Sequence, residues 1–132
     1  MGIAPERKAK ARILVVDDEA DVRDAIGKIL GNYGYEVACA PDGPEALESF
    51  GRSGFDIVMT DLSLPSMSGW EVAKAVRKAS PKTPVVLLSG WDIASDDKDF
   101  MESGVSRVLP KPVKVKDMIA IITELIPKGT EG

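Results

Sequence analysis

The 132-residue chain contains no histidine. That absence removes histidine metal sites, serine–histidine triads and phosphohistidine carriers together. Any phosphoryl group this protein handles must come from another molecule and land on a different residue type. A single cysteine, Cys39, excludes an intrachain disulfide and fits a reducing cytoplasm; it is expected to be a small buried apolar residue. No apolar run approaches the length needed to cross a membrane, and Met1–Arg12 lacks the apolar core of a signal peptide.

Basic charge is densest at one end and outnumbered by acids elsewhere. The net charge of −4 divides into +3 on residues 1–12, from Arg7, Lys8, Lys10 and Arg12 against Glu6, and −7 on the rest. An acidic fold grips a phosphate backbone poorly, so direct nucleic-acid binding is not expected. Residues 1–11 read as a basic flexible tail and 128–132 as a flexible C-terminal tail. Residues 12–127 have the length of one domain with a full core.

What is present is organised around Phe55–Pro65, FDIVMTDLSLP. Its apolar run has no polar alternation, which suits a strand buried on both faces of a parallel sheet. The run ends at Asp61, on the rim where α/β folds place their chemistry. Similar units precede and follow it. Arg12–Asp18 (RILVVDD) is a strand closing on two acids, and Ala20–Tyr33 spaces Val22, Ile26, Ile29 and Leu30 as one helical face. Tyr35–Ala40 is a strand, Pro44–Phe50 a short helix, and a third helix runs from Gly69 to about Ala79. Val85–Ser89 is a fourth strand, Ile93–Ser103 a weak and largely polar helix, Val105–Leu109 a fifth strand, and Val115–Ile126 a last amphipathic helix. Five alternating β/α units predict one doubly wound parallel sheet with helices on both faces.

The strand ends then bring Asp17, Asp18, Asp61, Ser89 and Lys111 to one edge. Three carboxylates in a partly desolvated cleft repel one another. A hard divalent cation relieves that repulsion, with Mg²⁺ the expected ion and Mn²⁺ its substitute. A nucleophilic carboxylate, a metal, a lysine and a hydroxyl together suit phosphoryl transfer. Singly, each has a plainer reading. The acids from Asp17 to Glu19 could cap a helix, Lys111 could be a solvated loop residue, and Ser89 a turn residue. Trp70 and Trp91 read as partly buried surface aromatics, and Asp96–Asp99 as a solvated face.

The order and spacing of VVDDE, TDLSLPSMSG, LLSG and LPKP resemble the receiver domain of two-component response regulators, over roughly Arg12–Ile126. The resemblance implies a flavodoxin-like strand order 2-1-3-4-5. It implies that Asp61 is the phosphoacceptor for a histidine kinase or a histidine phosphotransfer protein. Asp18 would be a direct Mg²⁺ ligand, Asp17 a ligand directly or through water, and the backbone carbonyl of Ser63 a further one. Ser89 would reorient onto the phosphoryl group and Lys111 neutralise it, with a cis peptide before Pro112. Ser63 and Trp91 would shape water access.

Two positions depart from the family pattern: Val108 stands where an aromatic residue is usual, and Leu64 where methionine is commoner. The changing face is expected to be the fourth helix, fifth strand and fifth helix, serving an unidentified downstream effector or a phosphorylation-dependent homodimer. No effector motif follows Ile126, so the chain is expected to be a stand-alone receiver or one excised from a larger regulator or hybrid kinase. A flavin- or nucleotide-binding module on the same fold is the alternative, although the acidic loop after the first strand would repel a phosphate. An aspartyl phosphatase or phosphotransferase would want a cap domain, for which there is no insertion.

Overall fold

Two strands of this chain are buried at every residue, β3 (Ile57–Asp61) and β4 (Val85–Ser89). Such strands must be covered on both faces, and a computed structural model, describing residues 10–126, shows how. The remaining elements are β1 (Arg12–Val16), α1 (Ala20–Asn32), β2 (Glu36–Ala40), α2 (Gly43–Ser53), α3 (Gly69–Ala79), α4 (Lys98–Ser103), β5 (Arg107–Pro110) and α5 (Val115–Leu125). All strands are parallel, in the order β2-β1-β3-β4-β5. This is the expected doubly wound, flavodoxin-like sheet.

Side-chain alternation sorts the core into two layers. Ile13, Val15, Ile57, Met59, Val86 and Leu88 pack with Ile26 and Leu30 of α1 and Met118 and Ile122 of α5. Leu14, Val16, Val58, Val85 and Leu87 face the other way, onto Ala46 and Phe50 of α2 and Val72, Ala73 and Val76 of α3. Every second strand residue therefore anchors a different pair of helices, and each buried aliphatic side chain contributes roughly 1.5–3 kcal/mol. The sheet is fixed from both sides, so its C-terminal rim is a rigid mount.

Helix ends follow the sequence closely. Ser68 and Glu71 form a reciprocal capping box at the start of α3, and Asp42 accepts from the Glu45 amide at the start of α2. Two helices differ from expectation. α2 continues to Ser53 before Gly54, at φ 72°, turns the chain away. α4 begins at Lys98 and not at Ile93, because the Asp97 carboxylate accepts from the Phe100 amide and fixes the start there.

Cys39 is exposed, not buried: β2 is an edge strand with a neighbour on one side only. Trp91 is also more open than expected, at 70% exposure. Lys10 and Ala11, read from sequence as the end of a tail, belong to the fold. The Lys10 amide donates to Gly34 O at 2.9 Å, and Ala11 is buried. The rest of both expected tails lies outside the described residues.

Candidate functional site

The register explains why three acids meet. Val16 of β1 pairs with Thr60 of β3, so Asp17, just beyond β1, and Asp61, the last residue of β3, stand side by side. Asp18 follows, and one carboxylate oxygen from each of Asp17, Asp18 and Asp61 lies within 4.8 Å of the others. Asp17 is fully buried, Asp61 is 7% exposed, and Asp18 faces solvent. The last residue of β3 is held from behind. Thr60 Oγ1 donates to the Asp61 carbonyl at 3.0 Å, and Gly69 at the start of α3 packs against the same oxygen so closely that a Cβ there would approach to 2.4 Å.

Lys111 closes the cluster. Its amide donates to Ser89 O at 2.9 Å, extending the β4–β5 ladder by one rung, and the Lys111–Pro112 peptide is cis as expected. Its ammonium stands 3.0 Å from Asp61 Oδ1 and 3.7 Å from Asp17 Oδ2. Burial alone would lower the Lys111 pKa. The hydrogen bond and charge of Asp61, with Asp17 and Glu19 behind it, outweigh burial and leave the pKa raised. Asp17 moves upward as well, through burial first and the Asp61 charge next, against the Glu19 amide and Lys111.

Asp17 is pinned on three sides. Its amide donates to Ala40 O at 3.1 Å, Oδ1 accepts from the Glu19 amide at 2.9 Å, and its carbonyl accepts from Arg23 Nη1 at 2.7 Å. Oδ2 is buried without a hydrogen-bond partner. A buried carboxylate oxygen with none, beside two further carboxylates, is the donor set of a hard divalent cation. The residues fit such an ion.

The other expected residues are less concentrated. Ser89 is buried at the end of β4, but its hydroxyl is turned into its own loop. It accepts from the Trp91 amide at 2.9 Å and donates to the Trp91 carbonyl at 3.2 Å. Val108 pairs with Leu87 across β4–β5 and is half-buried against the α2–α3 layer. Ser63 is exposed in the β3–α3 loop, lining an open polar hollow with Ser66, Ser68 and Glu71. Asp96 and Asp99 are exposed, as expected of a solvated face.

Sequence reasoning missed Arg23, whose reach back over the first turn of α1 leaves no signature in spacing. It also missed an apolar cleft of about 370 Å³ between α1 and α5, lined by Val22, Ile26, Ile29, Val113 and Met118, with Lys111 also lining it. The helix periodicity assigned Val22 and Ile29 to the core, and they lie at its margin.

A parallel sheet of this order with a triple-acid rim and a lysine defines a class of doubly wound α/β domains with a cation-fitting acidic rim. Comparison with known proteins narrows the class. A family model described as the response regulator receiver domain matches residues 13–123, and the chain belongs to that family. The sensory transduction protein RegX3 of Mycolicibacterium smegmatis is 36% identical over 120 residues, covering 91% of this chain and 52% of that protein. Response regulator MprA of Mycobacterium leprae is 34% identical, covering 87% of this chain and 50% of its own. The chain therefore spans about half the length of these curated relatives. Among solved structures, the chemotaxis protein CheY4 of Vibrio cholerae superposes with a TM-score of 0.84 at 31% identity, over 89% of this chain and 100% of CheY4. A response regulator receiver domain protein from Clostridium thermocellum gives 0.81 at 31%, over 88% and 94%.

Proposed function

We propose that this receiver domain takes a phosphoryl group onto Asp61 from the phosphohistidine of a histidine kinase or histidine phosphotransfer protein. The observation that carries the reading is the pairing of Asp61 Oδ1 with Lys111 at 3.0 Å beside Oδ2 of Asp17, which no hydrogen bond engages and Lys111 approaches only to 3.7 Å. Lys111 orients one oxygen of Asp61 and leaves the other as the nucleophile. A new O–P bond forms on Asp61 as the P–N bond of the donor breaks, and the departing imidazole takes up a proton from solvent. Lys111 then neutralises part of the phosphoryl charge.

Asp17, Asp18, Asp61 and the Ser63 carbonyl would hold Mg²⁺, with Mn²⁺ as its substitute. When bound, the cation supplies charge neutralisation to phosphoryl oxygens. Ser63 and Trp91, two residues after Asp61 and Ser89, would shape water access to the acceptor. For Ser89 to reach the phosphoryl group it must release both bonds to Trp91, which makes the β4–α4 loop the first segment to feel the modification. The output is a shift of the α4–β5–α5 face toward a conformation that a downstream effector or a second receiver recognises. Among the described residues no helix is long and apolar enough to cross a membrane. Membership of the response regulator receiver family favours action in the cytoplasm.

Addition of beryllium fluoride with Mg²⁺, followed by amide shifts and hydrogen exchange, tests the reading. Shifts around Asp61 and altered protection across residues 93–126 are expected, and Asp61→Asn should abolish both. Silence around Asp61 in the wild type would discard the phosphoacceptor; unchanged protection in 93–126 would discard the switching face.

A further inference from the structure

We infer that Arg23 is a positioning residue for the cation-binding acids, a role that rests on the Mg²⁺ reading above. Arg23 lies on the second turn of α1, half-buried, and Nη1 donates to the Asp17 carbonyl oxygen at 2.7 Å across six residues. The last rung between β1 and β2 is the Asp17 amide to Ala40 O. Beyond that rung the sheet supplies no partner for the Asp17 carbonyl, and the guanidinium takes the partner's place.

The consequence reaches both acids. The Asp17 carbonyl and the Asp18 amide belong to one planar peptide unit, so fixing the oxygen fixes the plane from which Asp18 departs. With the Glu19 amide on Oδ1, Asp17 is held at its amide, its carbonyl and one carboxylate oxygen, and Oδ2 alone is left for a ligand. Arg23 thus sets where Oδ2 of Asp17 points and where the Asp18 side chain begins. A side chain that supports a ligand in this way typically changes metal affinity by about 10–100-fold when removed.

Charge and geometry make opposite demands here. A guanidinium near a divalent cation repels it, so by Coulomb's law alone, deleting Arg23 should tighten binding. Positioning predicts the reverse, and the sign of the change decides between them. Arg23→Met keeps most of the apolar stem and loses the charge and the donor. Arg23→Lys keeps the charge, but offers one ammonium in place of the planar fork.

The experiment is an Mg²⁺ titration of the folded proteins, read by amide shifts of Asp17, Asp18 and Asp61, well below each protein's unfolding temperature. Because only the folded population is read, a loss of stability by itself leaves the apparent affinity unmoved. Arg23→Met should bind about tenfold more weakly than wild type, and Arg23→Lys more weakly than wild type but less so than Arg23→Met. Binding by Arg23→Met as tight as wild type, or tighter, overturns the inference. If Arg23→Met fails to fold, Arg23→Lys decides alone, and equality with wild type overturns it. A wild-type protein that binds no Mg²⁺ overturns the metal reading itself, an outcome distinct from the others.

Discussion

Lys111 Nζ lies 3.0 Å from Asp61 Oδ1, and this pair links the end of β3 to the turn after β5. The Lys111 pKa is lowered by burial but raised further by Asp61, Asp17 and Glu19, so that it ends above the ordinary 10.5. A folded-state value above the unfolded one means that the stabilisation is complete below pH 10.5 and is lost as pH rises through the folded value. Denaturant titrations on the alkaline side should show this loss in wild type and a smaller one in Lys111→Met. Identical alkaline profiles would mean that the pair contributes nothing to stability.

Asp17 has the opposite consequence. Burial, then the charge of Asp61, raise its pKa above 3.8 despite the Glu19 amide and Lys111. The folded protein holds the proton more tightly than the unfolded chain, so stability falls as pH rises from 3.8 through the folded value. Asp17→Asn should therefore stabilise the metal-free protein at neutral pH. It should also lose the stabilisation by Mg²⁺, which in wild type reaches about 2.7 kcal/mol at one hundred times Kd. Urea melts with EDTA and with Mg²⁺ give both numbers, and a destabilised Asp17→Asn in EDTA would contradict the repulsion argument.

Gly69 has no room for a methyl group, since a Cβ would meet Asp61 O at 2.4 Å and Leu62 Cα at 2.9 Å, both of them backbone. Backbone cannot swing aside as a side-chain tip does. Gly69→Ala should cost about 1–3 kcal/mol and displace the Asp61 carbonyl. Its rate of phosphorylation by acetyl phosphate should fall as well. A variant with unchanged stability and rate would show that the β3–α3 loop relaxes freely.

Val108 pairs with Leu87 two residues short of the Ser89–Pro110 rung, and its two methyl groups are too short to fill the space a departing Ser89 hydroxyl would open. Val108→Tyr should strengthen the preference of a partner for phosphorylated over unphosphorylated protein, by roughly fivefold, the lower end of common coupling energies. Binding of both forms, measured by calorimetry, provides the check. An unaltered ratio would remove Val108 from the relay.

Much of this arrangement could be read from residue order. Apolar five-residue runs ending in Asp17, Asp61 and Ser89 predicted strands, rim and acids together, because a strand buried on both faces carries its own signature. Helix lengths were less visible. The start of α4 depends on one bond from the Asp97 carboxylate to the Phe100 amide, and any of the neighbouring acids has the chemistry to make it. Cys39 looked like a core residue because composition does not reveal that β2 is the last strand of the sheet. The hydroxyl of Ser89 and the guanidinium of Arg23 were beyond reach for one reason: side-chain direction depends on packing, and both bond to backbone that no motif encodes.

The strand order has one more consequence. The acids stand at the ends of β1 and β3, strands flanked on both sides, whereas β5 is the outer strand on its side and α4 has only six residues. Opening α4 and β5 leaves the central ladders intact, while losing the acid cluster requires melting the middle of the sheet. Lys111 follows β5 and is anchored to Ser89 O, so only a fault confined to α4 would leave the acids and the lysine together. On the proposed phosphoacceptor reading, a domain with that fault would still take phosphoryl groups from its donor and would compete for them with intact copies.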